Sequence, residues 1–182
     1  LGAGQVIAID HHSERLAMAA QAGAVTINFD EEDLSERLTE LTGGMGPDSC
    51  IDAVGLEAHG TTPGAVYDRV KAAAYMATDR INALRQAIYH CRKGGTVSIP
   101  GVYGGLVDKL PLGAAFAKGL TFRMGQTHVH SYLNRLLEFV TSGAIDPTFV
   151  ITHRVKLDDA EEMYDTFAHE QNRCIKVVMS PN

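Results

Sequence analysis

The first side chain with evident chemistry is Asp10, which closes the run Gln5-Val6-Ile7-Ala8-Ile9-Asp10. Apolar and β-branched, this run reads as a strand buried on both faces. Its carboxylate then stands at the carboxyl end of a strand, where open α/β sheets take their ligands. A carboxylate there can accept both hydroxyl protons of an adenosine ribose, a bidentate geometry that neutral side chains imitate poorly. It can equally cap the helix that follows. In the ribose role it would oppose a 2′-phosphate: a unit-charge pair at about 4 Å costs about 1–4 kcal/mol. That is on the order of five-fold to several-hundred-fold in affinity, enough to select NAD over NADP. Arg15 lies five residues on. It can stack on the adenine or reach a phosphate, or serve as a solvated helix-surface arginine.

Other reactive residue types are sparse. His128 and His130 alternate as strand neighbours would, so both could face one site. No Cys, His or Asp partner lies nearby at ligand spacing, and zinc needs three or four ligands. His11 and His12 are adjacent, and adjacent side chains are expected to diverge. Cys50, Cys91 and Cys174 fall within or beside apolar segments, where a thiol acts as a small buried hydrophobe. None has a His and Asp close in sequence to activate it. No catalytic residue and no metal ligand is therefore expected in this chain.

The elements that must position these residues alternate along the chain. Strands are expected at Gln5–Asp10, Val25–Phe29, Ser49–Val54, Thr96–Ile99, Leu120–Met124 and Cys174–Met179. Between them lie helical stretches. The first starts after Ser13 as cap and ends at Gly23, and others cover Asp33–Thr42, Asp79–Cys91, Tyr132–Thr141 and Asp158–Phe167. Leu56–Tyr75 is marked by glycine and proline at its start and is weakly helical afterwards. Short apolar strands alternating with helices indicate an α/β fold, a Rossmann-type doubly wound parallel sheet.

In such a fold Gly-x-Gly-x-x-Gly precedes the acidic residue by about 20 positions. Here only nine residues precede Asp10, and Leu1-Gly2-Ala3-Gly4 runs straight into a strand. The chain reads as if cut from something longer, lacking the first strand of the sheet and the phosphate loop. In the order 3-2-1-4-5-6 that strand is central, between Gln5–Asp10 and Ser49–Val54. Its absence would leave two buried edges unpaired, so the 182 residues alone are expected not to fold stably.

Four motifs, Ile7-Ala8-Ile9-Asp10, Thr42-Gly43-Gly44-Met45-Gly46-Pro47-Asp48, Ile51-Asp52-Ala53-Val54-Gly55 and Gly94-Gly95-Thr96-Val97, resemble the coenzyme domain of zinc-dependent medium-chain alcohol dehydrogenases. The segment after Gly55, Pro100-Gly101-Val102-Tyr103-Gly104-Gly105 and Gly119-Leu120-Thr121-Phe122-Arg123-Met124-Gly125-Gln126-Thr127 narrow the resemblance to the glutathione-independent formaldehyde dehydrogenase-like branch. The resemblance implies that Asp10 and Arg15 hold the adenosine ribose and that Val54 meets the cofactor. Pro100 and Val102 match a turn whose backbone bonds the nicotinamide carboxamide. Gly125 and Thr127 match a further backbone contact. In the next loop of this branch a basic residue and a histidine approach the cofactor; His59 and Thr61 occupy those places here.

The same resemblance implies NAD as cofactor and a small alcohol or aldehyde, of the formaldehyde type, as substrate. It places the zinc in an N-terminal domain, not in this chain. It divides the chain into a partial dinucleotide-binding domain, 1–142, and a segment returning to the catalytic domain, 143–182. It also implies a homo-oligomer, dimer or tetramer, paired through Val102–Leu112, although Lys109 and Pro111 lean toward an ordinary loop packed on its own domain. A non-catalytic nucleotide-binding module and an S-adenosylmethionine-dependent methyltransferase, which also sets an acidic residue at a strand end for a ribose, are the alternatives.

Composition narrows the classes further. Sixteen Lys and Arg against 22 Asp and Glu give a net charge of −6, with no basic tract. That argues against nucleic acid, whose binding rests on clustered cations. No apolar run reaches the roughly 20 residues that span a bilayer, so no membrane partner is expected. Three cysteines, odd in number and unpaired in spacing, suit a reducing, cytoplasmic compartment.

Overall fold

The computed structural model describes residues 2–55, 81–103, 107, 109–169 and 174–181. Its elements run β1 (Ile7–Asp10), α1 (Ser13–Gln21), β2 (Val25–Asn28), α2 (Leu34–Leu41), β3 (Ser49–Ile51), α3 (Asn82–His90), β4 (Thr96–Ile99), α4 (Leu112–Lys118), β5 (Thr121–Met124), α5 (Val129–Thr141), β6 (His153–Lys156), α6 (Ala160–His169) and β7 (Val177–Ser180). Every strand pairing is parallel, so the chain has the expected α/β class with Rossmann-like parallel sheets. Two compact units divide it: Leu1–Phe29 with His128–Asn182, and Asp30–Thr127.

In the first unit β1 pairs with β2 in the register Ile7↔Val25 to Asp10↔Asn28, and α1 makes the crossover. Leu16 is the buried residue of α1, and Ile27 of β2 is fully enclosed. β1 is less covered than its apolar sequence suggests, since Ile9 is 43% exposed. The helix also starts differently from expectation. His12, not Ser13, stands at the cap position and its side chain caps nothing. The Asp10 carboxylate bonds the N–H groups of His11 and His12, in the turn that leads into the helix.

β6 and β7 form a second parallel pair, from His153↔Val177 to Lys156↔Ser180. β6 is absent from the sequence reading. Its residues, His-Arg-Val-Lys, carry one apolar side chain among three polar ones, so hydrophobic periodicity has nothing to register. α5 begins at Val129, ahead of the expected Tyr132, and none of its residues is buried. Because it contains His130 and follows His128 directly, those two histidines are not strand neighbours. Two positions along a helix turn side chains to nearly opposite sides.

In the second unit the strand order is β3-β4-β5, with β4 central and Val97 and Ile99 buried. α3 packs Leu84, Ala87, Ile88 and the following Cys91 at helical spacing into one core with these strands and Ala115 of α4. Its C-terminal end is held from α4. The Lys118 ammonium donates to the carbonyls of Ile88 at 3.2 Å and Cys91 at 2.8 Å, and to that of Tyr89. A cation belongs there, since unsatisfied carbonyls and the helix dipole both favour it.

Among the described residues β1 pairs with β2 alone and β3 with β4 alone, so each has an open edge. No helix of the described residues is long and apolar enough to cross a membrane.

Candidate functional site

Asp10 holds the turn that leads from β1 into α1. Its Oδ1 accepts from the backbone N–H of His11 at 2.7 Å and of His12 at 3.1 Å. Its Oδ2 faces the Arg15 guanidinium at 3.9 Å, with both side chains about a third exposed. One oxygen therefore braces the turn ahead of the helix, and the other is directed toward a cation near the surface. The Arg15 stem is not simply solvated. It also lines a cavity of about 440 Å³ with Val6, Ala8, Met18, Ala19 and Phe149.

Contrary to expectation, the His11 and His12 rings do not diverge. Their centroids lie 4.1 Å apart, and His11 stacks on Phe29 at 5.3 Å. Asp10, His11 and His12 thus bring three potential ligand atoms within 4.8 Å of one another. The arrangement fits a zinc ion poorly. Asp10 Oδ1 is engaged by two N–H groups and Oδ2 faces a guanidinium, whose positive charge opposes a divalent cation. Burial pushes the Cys50 thiol up to about 12, and the neighbouring Cys91 adds to the shift. Cys50 is protonated at neutral pH, which removes the thiolate that a metal or a nucleophilic step requires.

The second unit assembles the carboxyl ends of its strands through backbone contact. Gly101 N–H donates to the Asp52 carbonyl at 3.0 Å, while Asp52 N–H donates to Ser98 at 2.9 Å. A Cβ on Gly101 would stand 2.5 Å from the Gly55 nitrogen. A Cβ on Gly55, whose φ is +70°, would stand 2.5 Å from the Val102 nitrogen. Only glycine at both positions lets the turn after β3 and the turn after β4 touch. The result is a joined ledge from which Val54 and Val102 project, 53% and 63% exposed. Pro100 is exposed on the same ledge. Met124 pairs with Ile99, so Gly125 leaves the sheet beside Pro100, with Thr127 exposed two residues on.

The ledge therefore brings Val54, Pro100, Val102 and Gly125 to one end of one sheet. Asp10 and Arg15 form a separate pair in the other unit. His59 and Thr61 lie outside the described residues. Two residues that the sequence reading did not single out hold the ledge from beneath. Asp52, only 2% exposed, accepts from the N–H of Val54 at 3.0 Å and Gly55 at 3.2 Å through Oδ1, and from the Tyr103 hydroxyl at 2.5 Å through Oδ2. An Asp interrupting an apolar strand, three residues before a glycine, is the signal that could have found it.

Against known proteins, residues 1–63 match the family described as zinc-binding dehydrogenase. The chain is 37% identical, over 99% of its length, to the uncharacterized zinc-type alcohol dehydrogenase-like protein AdhB of Bacillus subtilis, and covers 47% of that protein. The glutathione-independent formaldehyde dehydrogenase of the same organism is 29% identical, with 100% of this chain and 45% of that protein covered. The branch inferred from the sequence is thus represented but not singled out. Among solved structures, the alcohol dehydrogenase TADH from Thermus sp. ATN1 superposes with a TM-score of 0.79 at 30% identity, covering 100% of this chain and 46% of that one. The chain spans about half the length of the curated relatives that it matches. Its homologues are zinc-type alcohol dehydrogenases, and its first 63 residues carry the match to the zinc-binding dehydrogenase family.

Proposed function

We propose that the protein is an NAD-dependent oxidoreductase transferring a hydride between the nicotinamide and a small alcohol or aldehyde, formaldehyde included. The observation that carries this reading is the joined ledge at the carboxyl ends of β3 and β4. Its exposed Val54 and Val102, presented by two turns in close backbone contact, suit one face of a flat, amide-bearing ring. Backbone groups at Pro100, Val102, Gly125 and Thr127 are assigned to the nicotinamide side. Asp10 and Arg15 are assigned to the adenosine ribose, with His59 and Thr61 as further cofactor contacts.

When bound, NAD supplies the hydride acceptor or donor. This chain's residues orient it, and such positioning can remove about 7–11 kcal/mol of barrier when it is well aligned. Zinc is assigned to residues outside this chain; among the described residues, the cluster Asp10-His11-His12 has its carboxylate engaged by the turn ahead of α1 and opposed by Arg15. A homo-oligomer, dimer or tetramer, belongs to the same reading. The test is the absorbance of NADH formed by the intact protein with a series of small alcohols and aldehydes. NADH formation, lost on zinc removal, is expected. No NADH across the series, from a protein shown to contain zinc, overturns the reading.

A further inference from the structure

Asp52 is a charged side chain in a place where a hydrophobe would serve the core as well. It is 2% exposed, and its partner Tyr103 packs on the core cluster that includes Ile99, Val97 and Cys91. Burying a carboxylate costs desolvation, and replacing such a group by a well-packed apolar one is often neutral or stabilising. What Asp52 provides is geometry. Through one residue, five hydrogen bonds converge on the two strand exits. Asp52 N–H bonds Ser98, its carbonyl takes Gly101, Oδ1 takes Val54 and Gly55, and Oδ2 takes the Tyr103 hydroxyl.

Two of these bonds fix the turn that presents Val54. The bonds from Gly101 and Tyr103 bracket Val102, one residue before it and one after. Val102 is therefore flanked by two ties to the residue that shapes the Val54 turn: Gly101 N–H on the Asp52 carbonyl and the Tyr103 hydroxyl on the Asp52 carboxylate. The close approach of Gly55 to Gly101 leaves the two turns no independent movement.

We propose that Asp52 and Tyr103 are positioning residues, setting the Val54 and Val102 backbone to receive the nicotinamide end of the dinucleotide. The inference rests on the NAD-dependent reading above. Neither side chain touches the cofactor in this role; each acts by holding a turn that does.

The experiment compares NAD with ADP-ribose, which lacks the nicotinamide ring, by titration calorimetry on the intact protein. Tyr103→Phe preserves the ring and its packing but deletes the hydroxyl. It should weaken NAD by about ten-fold, the scale of one hydrogen bond to a charged group, and leave ADP-ribose within about two-fold. Asp52→Asn keeps an acceptor for the Val54 and Gly55 N–H groups, and should show the same selective loss. A merely structural role would lower both affinities together, along with the thermal midpoint. Equal losses for the two ligands, or no loss for either, overturn the positioning role while the NAD reading stands. If the unsubstituted protein binds neither ligand, the NAD reading fails and the positioning role fails with it.

Discussion

Asp10 divides its carboxylate between two tasks, and the division can be tested. Oδ1 bonds two N–H groups in the turn ahead of α1, and Oδ2 faces Arg15. Asp10→Ala removes both functions. It should cost about 1 kcal/mol of stability, as loss of a side-chain acceptor for backbone N–H groups does, and should weaken NAD by about five-fold or more relative to NADP. Asp10→Asn keeps an acceptor for His11 and His12 but discards the charge. Its thermal midpoint should therefore stay near that of the unsubstituted protein, while its preference for NAD over NADP still falls. Titration calorimetry with both cofactors checks this, and equal losses for the two would sink the ribose assignment. Sequence alone offered ribose binding and capping as alternatives. In the structure the carboxylate bonds the turn ahead of the helix rather than N–H groups of α1 itself, and those bonds occupy only one of the two oxygens. Asp52 was legible only in part: an Asp three residues before a glycine announces its local turn, but its partner Tyr103 lies 51 residues away, and no local pattern announces a contact of that range.

At the level of elements, α3 and α4 are coupled through Lys118, and that coupling has a pH signature. His90, the last residue of α3, is held below its ordinary value of 6.5, first by burial and next by Lys118, with Asp33 acting in the opposite sense. The unfolded chain therefore takes up this proton at higher pH than the folded one. With respect to His90, stability is complete above 6.5 and is lost as pH falls from there through the lower folded-state value. Lys118→Met should cost about 1–2 kcal/mol by leaving the last carbonyls of α3 without their cation. It should also flatten the acid-side decline, because one cause of the lowered His90 value is gone. Thermal midpoints recorded between about pH 7.5 and 5, with His90→Gln as the reference, measure both effects. An unchanged slope in Lys118→Met would refute the coupling. Elements like these were legible where burial imposes a period. β4 lies at Thr96–Ile99 as expected, and Asp33 caps α2 through its bond to Glu36 N–H. β6 was not legible, since its pairing with β7 comes from backbone hydrogen bonds that side-chain hydropathy does not encode.

For the whole molecule the decisive quantity is apolar surface left uncovered. Leu133, Leu136, Leu137 and Val140 make a stripe along α5 at helical spacing, and each is 39–51% exposed. Ile9 in β1 and Ile51 in β3 are 43% and 70% exposed, on strands that each keep an open edge among the described residues. Apolar burial is worth about 25 cal/mol per Å², and ordering the backbone costs about 1–2 kcal/mol per residue. Net stability is a small difference between these large sums, so a shortfall in burial across several elements is enough to reverse its sign. The net charge of −6 adds modest self-repulsion to the same side. The 182-residue polypeptide, expressed by itself, should consequently show no cooperative thermal transition and should bind a hydrophobic dye at low temperature. The intact protein should melt cooperatively, at a midpoint raised by NAD, because a ligand that binds only the folded state stabilises it by mass action. Calorimetry and dye fluorescence on the two proteins side by side make the comparison. A single sharp transition of the isolated polypeptide, moved upward by NAD, would show that the open edges and the α5 stripe are tolerated.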